Sequence, residues 1–205
     1  MQEVEVRGPL KEKDFDKIFQ FFKSNATFIE ERDRFSLIYF PKDTLDLKKM
    51  QDDPRDLRLR VTNKKAELVI KYGRWGVKDN RREISIPIPL EKFDETAELL
   101  HYLGWSFGSV FATKTFVFKH KNIEFALVKN KHLCYFEAER VIGKNENPEK
   151  TMKEIEKTCD KIGLSIFSEK EYFELMDKIN SSPGALFDFR KREFSEIKQE
   201  YLEYF

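Results

Sequence analysis

The chain has 205 residues, of which 37% are charged, and its 38 Lys and Arg residues nearly balance 37 Asp and Glu residues. A chain of this length buries about 70% of its unfolded surface on folding, and 20 phenylalanines supply core, which argues against disorder. The formal net charge of +1 argues against general binding to nucleic acid or to an anionic membrane, unless the charges are segregated on one surface or in one cavity.

Alternation of apolar and polar residues predicts eight strands, and their short separations predict a mostly antiparallel arrangement. Helical periodicity predicts four helices between and after the strands, and a breaker at residues 181–184 precedes a fifth. We therefore expect a main domain of residues 1–180 and a C-terminal helical extension of residues 181–205. In chain order we predict a strand at 3–7, a helix at 15–22, strands at 35–40, 57–62, 66–72 and 81–88, a helix at 93–103, strands at 105–118, 123–129 and 134–142, and helices at 152–162, 172–179 and 194–201.

The ends of the chain, its apolar runs and its cysteines mostly argue against particular features. The sequence has no apolar run of roughly 18 residues and starts with Met-Gln-Glu, so we expect neither a membrane span nor a secretory signal, and a cytoplasmic location. Cys134 and Cys159 have no second pair with which to form a zinc site and are interpreted as reduced core thiols. His101, His120 and His132 share no spacing and are interpreted as surface or packing residues.

The polar faces of the predicted strands are unusually ionic. A period of two places Glu3, Glu5 and Arg7 on one face of the first strand, and similar groups recur along later strands. Any one such strand is most simply the wet side of an antiparallel sheet, on which opposite charges pair across strands. If the sheet closes into a barrel, the following side chains line a common interior: Glu3, Glu5, Arg7, Arg58, Arg60, Lys71, Arg81, Glu83, Lys114, Glu137 and Glu139.

The mixture of acids and bases narrows the chemistry of a ligand in such an interior. Carboxylates without His or Cys suit hard cations such as Mg2+ or Mn2+, which keep several waters and bridge to substrate phosphates. Arg and Lys neutralise phosphate oxygens and stabilise the charge that develops as a P–O bond breaks. We therefore predict a metal-bound polyphosphate as ligand. Trp75, in a predicted loop, either stacks on a base or covers the mouth of the barrel.

The first strand, Glu3-Val4-Glu5-Val6-Arg7, resembles the N-terminal Glu-x-Glu-x-Lys signature of the CYTH superfamily of triphosphate tunnel metalloenzymes. This superfamily includes class IV adenylyl cyclases, thiamine triphosphatases and inorganic triphosphatases. The resemblance extends over residues 1–180. It continues in the family's order through Leu57-Arg58-Leu59-Arg60, Val69-Ile70-Lys71-Tyr72-Gly73, Arg81-Arg82-Glu83, Leu103-Gly104-Trp105, Lys114, Phe136-Glu137-Ala138-Glu139 and Glu171-Tyr172-Phe173-Glu174-Leu175-Met176.

This resemblance implies a fold and a set of site residues. The fold is of the α+β class, a closed antiparallel eight-stranded β-barrel, the triphosphate tunnel, with helices packed outside. Catalytic roles are expected for Glu3, Glu5 and Lys71. The implied ligands of Mg2+ or Mn2+ are Glu3, Glu5, Glu83, Glu137 and Glu139. The implied substrate-binding bases are Arg7, Arg58, Arg60, Lys71, Arg81 and Lys114.

Several positions depart from the family's usual pattern. Arg7 stands where the family usually has Lys, and Phe116 takes the second basic position of a Lys-x-Arg pair. Ser85 replaces a frequent acid, and the family's usual Asp is absent near Leu127 and Val128. These departures bear on turnover more than on fold or anion binding.

Three functions are compatible with these patterns. The first is metal-dependent hydrolysis of inorganic triphosphate, thiamine triphosphate or a nucleoside triphosphate. The second is a class IV-type adenylyl cyclase that forms cyclic AMP and pyrophosphate from ATP; family resemblance alone does not choose between the two. The third is a polyphosphate or nucleotide binder without turnover. We expect a triphosphate-containing small molecule as partner, without nucleic acid or membrane, and the C-terminal helix either caps the tunnel or forms a homodimer contact.

Overall fold

A computed structural model describes residues 2–41, 44–46, 52–73, 76–130 and 133–205. Trp75 and His132 lie outside them. Short 3₁₀ turns occupy Leu90–Lys92 and Leu202–Tyr204. The strands and helices in chain order are β1 (Gln2–Leu10), α1 (Glu12–Asn25), β2 (Thr27–Tyr39), β3 (Arg55–Thr62), β4 (Lys65–Tyr72), β5 (Lys78–Ile88), α2 (Phe93–Tyr102), β6 (Phe107–His120), β7 (Ile123–Lys129), β8 (Cys134–Ile142), α3 (Pro148–Ile162), α4 (Glu169–Asn180), β9 (Leu186–Asp188) and α5 (Phe194–Gln199).

The described strands pair in the order β2-β3-β4-β5-β1-β8-β7-β6-β9, and β2 also pairs with β6. This additional pairing closes eight antiparallel strands into a ring, and β9 pairs with β6 as a ninth strand. The predicted α+β class and the ring of eight antiparallel strands are therefore confirmed. Periodicity missed β9 because a strand of three residues is too short to alternate.

The described chain forms two compact units. Strands β2, β5 and β6 each contribute residues to both units. The predicted domain boundary at residue 180 stays a prediction, although the residues that follow it belong to the second unit. The first unit contains the described residues of 2–32, 76–82 and 113–175, and the second unit contains those of 33–73, 83–112 and 176–205.

In the first unit, helices α1 and α3 cover the apolar face of the strands. Val4 and Val6 of β1 pack in one core with Phe22 of α1 and Ile155 of α3. Helix α3 ends at Gly163, whose φ of +81° is a left-handed conformation that glycine adopts without strain. Because side chains alternate along a strand, the charged residues of β1 lie on the face opposite this core.

In the second unit, helices α2 and α5 cover the apolar face of the strands. Leu57 and Leu59 of β3 and Phe35 of β2 pack with Phe93 of α2 and Phe194 of α5. The C-terminal segment is thus part of this core. The basic residues that alternate with these leucines lie on the opposite face of β3.

None of the helices within the described residues combines the length and apolarity that a membrane crossing requires. Cys134 and Cys159 are free cysteines; Cys159 is buried in the core of the first unit, as predicted, whereas Cys134 is half-buried and packs against that core. Burial raises the pKa of the Cys159 thiol to about 12. His101 and His120 each hydrogen-bond to a residue of their own unit, in agreement with a packing role.

Candidate functional site

Three carboxylates of the first unit converge. Strand β1 supplies Glu3 and Glu5, and β8 supplies Glu139, which lies directly opposite Glu5 in the register of the two strands. One carboxylate oxygen from each residue lies within 4.8 Å of the other two, and Glu5 is only 2% exposed. We call these three residues the acidic cluster.

The acidic cluster has the chemistry of a site for a hard divalent cation. Its donors are carboxylate oxygens, which Mg2+ and Mn2+ prefer, and it includes no His or Cys among the described residues. Two ligand oxygens on opposite sides of Mg2+ are about 4.2 Å apart. Only one pair among three such ligands can lie on opposite sides, and neighbouring ligand oxygens are about 3 Å apart. The three oxygens, now within 4.8 Å of one another, therefore have to move closer together to bind one cation.

Arg7 lies beside the acidic cluster, and each of its guanidinium nitrogens faces a carboxylate. The ion-pair distances are 2.6 Å from Nη2 to Glu5 Oε1, 2.6 Å from Nη1 to Asp79 Oδ2 and 3.3 Å from Nε to Glu137 Oε1. Burial acts to lower the pKa of Arg7, but the carboxylates of Glu5 and Asp79 outweigh it and raise the pKa well above its ordinary value. We call Arg7, Asp79, Arg81 and Glu137 the arginine network.

Asp79 is the central acid of this network, and the sequence patterns did not identify it. It is 2% exposed and accepts hydrogen bonds from Arg7, Arg81 and the backbone N–H of Gly76. A signal was present, because Asp79 continues the two-residue period of Arg81 and Glu83. The predicted strand began at residue 81, whereas β5 begins three residues earlier.

The bases of the second unit are paired with carboxylates. Arg60 Nε is 2.6 Å from Oε1 of Glu67, which lies directly opposite on β4, and Arg60 Nη2 is 3.2 Å from Glu83 Oε1. The second oxygen of Glu83 is 3.1 Å from Lys71 Nζ. We call the following residues the ion-pair group: Asp56, Arg58, Arg60, Glu67, Lys71 and Glu83.

The ion-pair group is electrically balanced, with three bases against three carboxylates. Its remaining pair joins Arg58 Nη2 to Asp56 Oδ2 at 2.6 Å. Burial acts to raise the pKa of Glu67, but hydrogen bonds from Arg60 and Ser85 outweigh it and leave the pKa below its ordinary value. A phosphate that binds these bases has to compete with the carboxylates that are paired with them.

Lys114 shares a face of β6 with Phe116, whose ring packs edge-on against Phe15 and Phe19 of α1. Its Nζ is 2.6 Å from Glu31 Oε1, and the lysine side chain is half exposed. The role of Lys114 as a phosphate ligand stays a prediction. In the first unit, the opposite face of β6 carries buried residues without charge: Thr113, Thr115 and Val117.

Strand β2 supplies a base that periodicity did not identify. Arg32 Nη2 is 3.0 Å from Glu124 Oε1, and its Nε is 2.7 Å from Glu30 Oε1. In the register of β7 and β8, Glu124 lies opposite Glu139 of the acidic cluster. The predicted strand began at residue 35 because residues 30–34 are all charged and show no apolar alternation.

The structure distributes the predicted site residues over the two units. Of the predicted metal ligands, the acidic cluster contains three, whereas Glu137 faces Arg7 and Glu83 lies between two bases. The metal roles of Glu83 and Glu137 stay predictions. Arg81 joins Arg7 through Asp79, and three further predicted phosphate-binding bases meet in the ion-pair group.

Residues 1–172 match the model of the CYTH domain family. The match includes residues of both units but not residues 173–205, and it confirms the family resemblance of the strand motifs. A search of curated protein sequences returned no match.

Solved structures share the fold at low sequence identity. A Pyrococcus horikoshii protein is 20% identical, with a TM-score of 0.65 over 84% of this chain and 98% of its own. A Hippeastrum protein, assigned as an adenylyl cyclase and showing a dominant triphosphatase activity, is 14% identical, with a TM-score of 0.59 over 88% and 98%. A chain of the Schizosaccharomyces pombe Mediator head module is 10% identical, with a TM-score of 0.57 over 81% and 98%. At these identities the likeness establishes the fold alone.

Proposed function

Because the chain belongs to the CYTH domain family, we propose that it hydrolyses a triphosphate-containing small molecule with the help of a divalent cation. Inorganic triphosphate, thiamine triphosphate and nucleoside triphosphates are the candidate substrates. The observation that carries the proposal is the acidic cluster, in which three carboxylates bring their oxygens within 4.8 Å of one another.

Glu3, Glu5 and Glu139 would hold Mg2+ or Mn2+ through carboxylate oxygens. When bound, the cation supplies Lewis-acid stabilisation of phosphoryl oxygens. The surrounding charges favour a cation. The acidic cluster and the arginine network together contain five carboxylates and two guanidinium groups, a formal charge of −3.

The bases Arg58, Arg60 and Lys71 would bind the phosphate chain. An arginine presents a planar fork that bonds two phosphate oxygens, whereas a lysine acts as a point charge. Phosphate binding exchanges their present carboxylate partners for phosphate oxygens, and the same positive charges stabilise the transition state of phosphoryl transfer. Phosphate contacts of Arg81 and Lys114, which the family resemblance implies, stay predictions.

Binding without turnover is the second candidate, because uncharged residues occupy positions on β6 and β7. Thr113, Thr115 and Val117 are buried on one face of β6, and the described β7 has a single acid, Glu124. Fewer charges leave less electrostatic stabilisation for a transition state, while the bases of the second unit still suffice to hold an anion.

One assay separates hydrolysis, cyclisation and binding. Purified protein is incubated with tripolyphosphate, thiamine triphosphate or ATP and with Mg2+ or Mn2+, and phosphate, pyrophosphate and cyclic AMP are measured. We expect phosphate release that a chelator abolishes and that Glu3→Gln protein, purified identically, lacks. Cyclic AMP with pyrophosphate would identify a cyclase instead, and saturable tripolyphosphate binding without any product would identify a binder.

A further inference from the structure

We propose that Arg7 and Asp79 are positioning residues that orient Glu5 of the acidic cluster, and that Arg7 is not a ligand of the substrate phosphates. This inference rests on the proposed function, because it takes cation binding as the task of the cluster. It replaces the expectation that Arg7 contacts the triphosphate.

The donors of Arg7 are already committed. Its three nitrogens face Glu5, Asp79 and Glu137, and Nη1 also donates to the Gly76 carbonyl at 2.6 Å. A guanidinium has five N–H groups, and hydrogen bonds to Glu137, Asp79 and the Gly76 carbonyl use three of them, while the ion pair with Glu5 lies at Nη2. The Arg7 side chain is 8% exposed, compared with 24% for Arg58. A phosphate would therefore have to break buried ion pairs to reach Arg7.

The surroundings of Arg7 restrict its movement. The Tyr172 ring of α4 lies over the guanidinium, with 5.8 Å between the Arg7 Cζ and the ring centroid. The Arg7 carbonyl accepts a 3.0 Å hydrogen bond from the backbone N–H of Phe167. A side chain at Gly8 would collide with the Ser165 carbonyl, so glycine allows these two chain segments to approach each other. Both the backbone and the guanidinium of Arg7 are thus held in place.

Asp79 completes the arrangement, because one of its oxygens bridges two cations. Oδ2 is 2.6 Å from Arg7 Nη1 and 2.8 Å from Arg81 Nη2, and Oδ1 accepts from the Gly76 N–H at 2.8 Å. Loss of this carboxylate would leave two buried guanidinium groups without their shared partner. Groups that orient metal-binding side chains in this manner change metal affinity by about 10- to 100-fold when they are removed.

The two roles for Arg7 predict opposite results. If Arg7 binds phosphate, its removal weakens triphosphate binding, and cation binding stays the same or tightens because a positive charge 2.6 Å from Glu5 is lost. If Arg7 positions Glu5, its removal weakens cation binding and leaves metal-free triphosphate binding intact. Two binding measurements without turnover therefore distinguish the roles.

The test uses Arg7→Met, Arg7→Lys and Asp79→Asn in the full chain. Calorimetry measures Mn2+ binding without phosphate and tripolyphosphate binding in a chelator, and thermal unfolding establishes that each variant is folded. We expect Mn2+ binding to weaken about tenfold or more in Arg7→Met and Asp79→Asn, and less in Arg7→Lys. Tripolyphosphate binding should stay within about twofold of wild type. Glu154→Gln, which alters an exposed acid paired with Arg140, is the control and should change neither.

Unchanged or tighter Mn2+ binding by Arg7→Met, or a loss of tripolyphosphate affinity in that variant, would overturn the positioning role. If Arg7→Met does not fold, Arg7→Lys takes its place, and the same two results in that variant would overturn the positioning role. A lysine keeps the charge but does not reproduce the three-sided arginine fork. Mn2+ binding that is absent in wild type, or equal in wild type and Glu3→Gln, would instead overturn the proposed function itself.

Discussion

The first unit surrounds two guanidinium groups with five carboxylates, whereas the second unit sets three bases against three carboxylates. Both groups lie on strands in which charged and apolar residues alternate, so that one face of each strand is charged and the other is apolar. An excess of converging carboxylates favours a bound cation, while in a balanced group an anion has to compete with the carboxylates for the bases. The ratio of acids to bases among cross-strand neighbours therefore determines which ion a charged sheet face favours.

Burial separates both groups from an ordinary wet sheet face. Glu5 is 2% exposed, and Arg60 and Lys71 are each 8% exposed. A charge removed from water is stable only with a close partner, and the ion pairs of both units supply such partners. Replacing one of these bases therefore removes the partner of a neighbouring carboxylate as well as a contact to the ligand.

The largest effect is expected in the acidic cluster. Glu3→Gln should lower Mn2+-dependent hydrolysis of tripolyphosphate about 100-fold, because the cation supplies several kcal/mol of charge stabilisation. Tripolyphosphate binding in a chelator should stay unchanged, as measured by calorimetry. Glu154→Gln, in the same unit but paired with Arg140, is the matched control. Equal losses in both variants would contradict a specific role for the cluster.

The next effect is expected in the ion-pair group, where Arg58→Ala or Lys71→Ala should weaken tripolyphosphate binding about tenfold, with or without metal. A charge-assisted hydrogen bond contributes about 1.5–3 kcal/mol, and part of this is offset by the lost carboxylate pair. Calorimetry with Mn2+ and with a chelator measures both conditions. Arg190→Ala, which removes an exposed arginine paired with Asp188, should have no effect. A loss confined to the Mn2+ condition would place these bases at the cation instead.

A smaller and opposite effect is expected from Glu67→Gln. Glu67 competes with phosphate for Arg60, so its neutralisation should tighten tripolyphosphate binding about two- to fivefold, the range of a partly exposed ion pair. Asp188→Asn, which neutralises a partner of Arg190 in the same unit, is the control. Weaker binding by Glu67→Gln would show that Glu67 orients Arg60 for the ligand rather than competing with it.

The smallest effect concerns pH. The pKa of Glu67 is lowered in the folded protein, so its contribution to stability is present above the ordinary glutamate pKa and is lost as the pH falls through the folded value. The unfolding free energies of wild type and Glu67→Gln should differ by less than about 1 kcal/mol near neutrality and converge in acid. Arg190 hydrogen bonds lower the pKa of Asp188 to about 2, so the Asp188→Asn difference should persist to lower pH. Urea unfolding across this pH range tests the order.

Sequence patterns predicted the eight strands of the ring and brought Glu3, Glu5 and Glu139 into one set, as the structure does. They missed Asp79 and Arg32 because both lie in charged segments that precede the predicted start of a strand. Strand alternation identifies the face of a residue, but it does not identify the residue opposite it on a neighbouring strand.

The sequence by itself determined which residues alternate, and hence which side chains leave the apolar core and carry charge. Tertiary structure decided which of these charges meet. Glu5 lies between Asp79 and Glu139 because β5 and β8 pair with opposite edges of β1, and neither neighbour is close to β1 in sequence. Register across long-range strand pairs therefore separates an acidic cluster from a balanced ion-pair group, since ion pairing depends on distances of a few ångströms.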